Sequence, residues 1–223
     1  MVGRDLDGVP LIPPSKQKIE GISEKPGEPR NAFTYDADPR GTQCPFGSHI
    51  RRANPRNADM FGNPSGPIAG LFSRLGLPRP GFHDDLIAST RFHRILRRGR
   101  EYGTKISPEE ALQPSPAGEA PCGLQFACLC ANIGRQFEFV QNAWLMSTKF
   151  NGLTGESDPL LGNRAAVGAC PAANYSIQRE DKMARRLTGV PQFITVRGGA
   201  YFFMPSLRAL RYIARAGNNG SAR

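Results

Sequence analysis

The chain has 223 residues, 39 % of them hydrophobic, with 25 glycines, 20 prolines and a net charge of +10 at pH 7. That length admits one sizeable core or two small domains, and the glycine and proline content predicts long irregular segments around it. No apolar run reaches membrane-spanning length, and five cysteines, an odd number, exclude a fully paired disulfide scaffold.

Residues 1–43 read as an extended, irregular segment, because prolines at 10, 13, 14, 26, 29 and 39 break any helix. The opening MVGRDLDGVPL has no apolar stretch of the kind a secretory signal needs, so the expected location is cytoplasmic. The next stretch, TQCPFGSHIRRANPR at 42–56, holds His49, one of three histidines, with Arg51, Arg52 and Arg56 close behind. Pro45 and Pro55 bracket it and stiffen its backbone. An imidazole on a stiff segment, followed by planar cations, suits a buried metal with anionic groups nearby.

Residues 58–82 (FGNPSGPIAG, LGLPRPG) read as a long loop with a helical turn near 68–74, and 84–91 as a short helix. From His93, HRILRRGREYG predicts a strand that ends at Gly99 or Gly103. Ser107-Pro108-Glu109-Glu110 is a capping box, and 114–121 a linker. Gly123–Ala131 is the clearest strand. Leu124, Phe126, Cys128 and Cys130 share one face, Ala127, Leu129 and Ala131 the other, and two apolar faces predict a central position. The 122/128/130 cysteine spacing is not that of a zinc site, so Cys128 and Cys130 read as small buried apolar residues. Asn132 should cap a helix to Trp144, with Ile133, Phe137, Val140 and Trp144 on its buried face. Residues 150–190 read as irregular. Phe193–Met204 reads as a hairpin turning at Gly198-Gly199, and Pro205–Ala216 as a last helix stopped by Gly217. The pattern predicts an α+β fold: an antiparallel sheet with helices packed on one face. The expected divisions are an extended segment 1–43, a domain 44–216 and a disordered tail 217–223.

Four of these stretches, in this order, resemble the dye-decolourising (DyP-type) haem peroxidases. They are CPFGSHIRRANPR, RFHRILRRGREYG, GLQFACLCANIGRQFEFVQNAW and FITVRGGAYFFMPSLRAL; GESDPLLG at 155–162 is a weaker fifth. The resemblance implies a ferredoxin-like sheet of the dimeric α+β barrel type, lacking the N-terminal half of the family fold, with haem b between sheet and helices. It implies His49 as the axial iron ligand and Asp158 as the acceptor for the other ring nitrogen. Arg97 matches the family's distal arginine, the group that stabilises negative charge as peroxide is cleaved, and it also counts among the cofactor contacts. Leu124 and Phe126 match apolar residues lining the distal face, and Arg51, Arg52 and Arg56 are candidates for the propionates. Trp144 and Tyr201 are possible electron relays.

The family's catalytic aspartate sits in a GxxDG motif. Here Gly3-Arg4-Asp5-Leu6-Asp7-Gly8 is one residue too long, so Asp7 is not given that role. The expected function is therefore a peroxidase that couples hydrogen peroxide to oxidation of an organic reductant, as a truncated form with weak activity. The alternative is a non-catalytic haem-binding module or the remnant of a split peroxidase. A separate N-terminal domain or a homo-oligomer is the expected protein partner. A membrane is not expected, and nucleic acid is not favoured, because the basic charge lacks the aromatic-basic motif of a known module.

Overall fold

The computed structural model describes residues 1–12, 33–56, 90–107, 109–110, 113, 122–164 and 173–219. The loop expected at 58–82, all of the helix at 84–91 but its last two residues, the linker at 114–121 and residues 220–223 lie outside these, as do His83 and Cys170. Within them the fold is α+β, built from antiparallel two-stranded ribbons and a few helices.

The first helix, α1, is only His49–Ala53. Five residues are too few to be helical alone, so tertiary contacts hold it. Its leading amides are taken by the start of the chain: His49 N–H donates to the Met1 carbonyl at 2.9 Å and Ile50 N–H to that of Val2 at 3.1 Å. Ile50 packs on a cluster of Ile12, Phe33, Tyr35 and Cys44. Ala53 packs on a second cluster of Val140, Trp144, Leu145 and Phe150. The helix is thus pinned between two small cores.

Strand β1 (Leu96–Tyr102) pairs antiparallel with β2 (Gly123–Leu129), Leu96 opposite Leu129 and Tyr102 opposite Gly123. Gly99 falls inside β1, and the strand ends just before Gly103, which takes a positive φ. The central position expected for β2 is not observed: β1 is its one partner among the described residues, and both its faces are largely exposed. The capping box forms, with Ser107 N–H on Glu110 Oε2 at 2.8 Å and Glu110 N–H on Ser107 Oγ at 3.2 Å.

After β2 the chain coils into two π-helical segments, Gly134–Glu138 and Val140–Met146, joined at Phe139. Asn132 caps them as expected, its Oδ1 accepting from Arg135 N–H at 2.9 Å. Val140 and Trp144 are buried on the expected face, with Leu145 beside them.

Two ribbons occupy the region expected to be irregular. In one, β3 (Lys149–Phe150) turns back to β4 (Leu153–Thr154) through Asn151 and Gly152, both at positive φ, the tight turn that joins short strands. In the other, β5 (Asn174–Ile177) pairs with β6 (Arg185–Thr188). Conversely, the hairpin expected at 193–204 is absent. Residues 191–206 pair with no strand among the described residues, and neither Gly198 nor Gly199 takes the positive φ that the turn needs. An exposed apolar strand without a neighbour has nothing to bond its backbone to. The last helix, α2, is Leu207–Asn219. Ser206 Oγ accepts from Ala209 N–H at 3.2 Å, so the cap falls one residue past Pro205, and the helix runs through Gly217 instead of stopping there.

Candidate functional site

The segment before α1 is organised by Asp38. Its carboxylate accepts from Thr42 N–H at 2.8 Å, Gln43 N–H at 3.2 Å and Cys44 N–H at 2.9 Å, and pairs with Arg51 Nη1 at 3.0 Å. Arg51 also donates to the carbonyls of Cys44 and Asp38, and its guanidinium lies 4.5 Å from the Tyr35 ring centre and 4.6 Å from that of Phe46. Arg52, fully buried, donates to the carbonyls of Trp144 at 2.8 Å, Glu156 at 3.3 Å and Ser147 at 2.5 Å. Burial lowers the pKa of both, Arg52 to about 10.

Arg51 and Arg52, the expected propionate contacts, do not present their donors at the surface. Their donors face inward and are engaged by the protein, because successive residues of a short helix wedged between two clusters both point into the interior. Arg56 likewise donates to the Phe33 carbonyl and stacks on its ring at 3.7 Å.

With those two braces in place, His49 projects toward Asp158. Its Nδ1 lies 3.1 Å from Oδ1 and 3.0 Å from Oδ2 of a carboxylate with no exposure, while its own side chain is 20 % exposed. A carboxylate only accepts, so Nδ1 carries the hydrogen, and the Nε2 lone pair stays available on the partly open side. No described residue bonds Nε2.

Asp158 is itself held firmly. Its N–H donates to the Leu145 carbonyl at 2.8 Å, and its Oδ1 accepts from the amides of Leu160 at 3.0 Å and Leu161 at 2.8 Å. Burial pushes its pKa up, but the bonds from His49, Leu160 and Leu161 outweigh burial and hold the carboxyl below its ordinary value. Ser48, just before the histidine, shares a buried 3.1 Å hydrogen bond with the Tyr175 hydroxyl, tying α1 to β5. Burial raises the Tyr175 pKa to about 12, so it stays protonated. Glu156 is also buried. Neither of its carboxyl oxygens has a partner of good geometry, and burial raises its pKa.

Arg97, Leu124 and Phe126 come together on one face of the β1–β2 ribbon. Directly opposed residues share a face, and here Arg97 opposes Cys128, Gly99 opposes Phe126 and Glu101 opposes Leu124. Phe126 sits 6.3 Å from the Phe137 ring, which in turn lies 6.1 Å from Tyr201. Leu124 and Phe126 remain 59 % and 48 % exposed, so these residues alone do not close a dry wall. Tyr201 is exposed and donates to Glu138 at 3.2 Å, whereas Trp144 is buried and has no surface to offer a bulky dye. His93 is a core residue: Nδ1 bonds the Arg135 carbonyl, and the ring stacks 3.6 Å from Phe139 at 8°.

Asp38, Ser48, Tyr175 and Glu156 were not anticipated. Only Asp38 carried a signal, an aspartate opening the turn-forming run Asp-Pro-Arg-Gly.

No family model matches the chain. Individual relatives do. It is 32 % identical over 216 residues to the multifunctional dye peroxidase DyP2 of Amycolatopsis sp., covering 95 % of this chain and 40 % of that protein. It is 28 % identical over 190 residues to the dye-decolorizing peroxidase msp1 of Mycetinis scorodonius, covering 82 % of this chain and 32 % of that one. Among solved structures, DyP2 superposes with a TM-score of 0.62 at 30 % identity, over 95 % of this chain and 40 % of that chain. A dye-decolorizing peroxidase in complex with cyanide gives 0.56 at 26 % identity, over 94 % and 40 %. The chain spans about two fifths of the length of these relatives at most. Sequence and fold agree, and the chain belongs to the DyP-type dye-decolorizing peroxidases, of which it is a part in length.

Proposed function

We propose that this chain is the histidine-bearing part of a DyP-type peroxidase and would hold haem b, with His49 Nε2 as the ligand to its iron. The observation that carries this is the His49–Asp158 pair. A buried, ionised carboxylate fixes the tautomer, and it makes the imidazole a stronger electron donor through its free nitrogen. One such imidazole is a partial ligand set for a bare ion and a sufficient one for iron already held in a macrocycle. The bound group would supply the redox chemistry that consumes hydrogen peroxide and oxidises an organic reductant.

Arg97, with Leu124 and Phe126 on the same ribbon face, would also meet the cofactor. There its fixed charge would stabilise a developing anion, and the two apolar side chains would limit water. Arg51 and Arg52 set the orientation of α1 and are not assigned to the cofactor.

The proton-transferring carboxylate is not found among these residues. Asp7 stands exposed at the tip of a turn closed by Asp5 N–H on the Val9 carbonyl at 3.0 Å. General acid–base groups commonly contribute about 10²–10⁴-fold, so these 223 residues alone are expected to turn over weakly. A separate N-terminal domain would be the source of that group. The exposure of Leu124 and Phe126 favours a second reading, haem binding without turnover.

The test is reconstitution with haem. The chain should develop a Soret band that H49A abolishes, and peroxide-dependent dye oxidation then separates the two readings. An H49A variant that binds haem with unchanged spectrum and affinity overturns both.

A further inference from the structure

We propose that Cys128 and Cys130 are a dithiol that hydrogen peroxide closes to a reversible disulfide, a modification site distinct from His49. The two sulfurs lie 3.9 Å apart and both side chains are half-buried, within reach of a small oxidant. No other described cysteine competes. Cys44 is buried in the first cluster, and Cys122 lies six residues back along an extended strand, about 20 Å from Cys128.

Alternate residues of a strand point to one face, with Cα atoms about 6.6–6.8 Å apart, the upper end of what a disulfide spans. The pair sits where that limit is easiest to relax. Strand β2 ends at Leu129, Cys130 has no ladder partner, and the chain bends at Ala131. The sulfurs need only close to about 2.05 Å, and a bridge at the limit of the geometry is readily reduced again.

Cys130 lies past the end of β2 without a ladder partner, so its sulfur is the freer of the two to meet the oxidant. As the thiolate it attacks one peroxide oxygen, the O–O bond breaks, and the departing hydroxide takes a proton to become water. Cys128 sulfur then attacks the Cys130 sulfenic acid, the S–O bond breaks, and the Cys128 proton leaves with that oxygen as a second water. Two thiols lose two electrons and one peroxide gains them. The supply of oxidant rests on the proposed peroxidase reading; the thiol chemistry does not.

The test is therefore made on the reduced 223-residue chain without haem. After brief exposure to hydrogen peroxide, free thiols are alkylated and the chain is cleaved after Phe126, which separates Cys122 from the pair. The expected result is loss of two hydrogens and no alkylation at either position, restored by dithiothreitol. In C128S the resolving sulfur is gone, and dimedone should trap a sulfenic acid at Cys130 that it does not trap in the native chain. Two alkylatable thiols, a sulfinic or sulfonic acid at either position, or a bridge to Cys122 or Cys170 overturns the proposal. None of these outcomes bears on the Soret test of His49, so the two readings fail separately.

Discussion

At the scale of single residues, two carboxylates divide the labour. Asp38 closes a turn and neutralises Arg51; Asp158 orients His49. Removing one member of a buried ion pair leaves the other charge unpaired at a cost of about 3–5 kcal/mol. D38A should therefore lower stability by about that amount in urea unfolding. It also frees three backbone amides at once, so D38N should recover part of the loss. D158N keeps the shape and removes the charge. Changes of this kind cost about 10–100-fold in metal affinity, so haem should still bind, more weakly and with a raised reduction potential. The pH dependence follows from the lowered pKa of Asp158. Its contribution is fully present above the ordinary carboxylate value, about 3.9, and is lost as pH falls through the lower native value. Unfolding measured from neutral to acid pH should show native chain and D158N converging only at the acid end. A constant difference would contradict the pair.

At the scale of elements, the site depends on how tightly the 158–162 turn is drawn. Gly162 N–H donates to the Asp158 carbonyl at 2.9 Å, and a Cβ on residue 162 would stand 2.7 Å from the Asp158 backbone nitrogen. Backbone cannot swing aside as a side chain can, so G162A should displace Asp158. It should mimic D158N in haem affinity while keeping the charge.

The elements also show which features were readable from sequence. The capping box at 107–110 and the Asn132 cap are local chemistry and formed as expected. The His49–Asp158 pairing spans 109 residues and was visible only through family resemblance, since no local rule links them. The burial of Arg51 and Arg52 was invisible, because an arginine beside a histidine reads alike whether it faces solvent or core. Strand β5 (NYSI) alternates but is only four residues long, and β6 (RRLT) has a single apolar residue, so both were missed. Residues 194–197 have that alternation and found no strand partner among the described residues.

At the scale of the molecule, large apolar side chains lie open from the ribbon to the last helix. Phe202 is 86 % exposed, Phe203 88 %, Leu207 73 % and Tyr212 75 %. Exposed apolar surface on this scale marks an interaction face or an aggregation liability. Alone at micromolar concentration, the chain should associate with itself and bind a hydrophobic dye. F202S/F203S should reduce both, in sedimentation and fluorescence, while leaving the His49-dependent Soret band in place. No helix among the described residues is long and apolar enough to cross a membrane.

The amides of His49 and Ile50 rest on the carbonyls of the first two residues. Whatever precedes Met1, a domain or a purification handle, therefore bears on the very turn that carries the imidazole. An affinity handle belongs after Arg223, and a weak spectrum from an amino-terminally tagged preparation would indict the handle before the histidine.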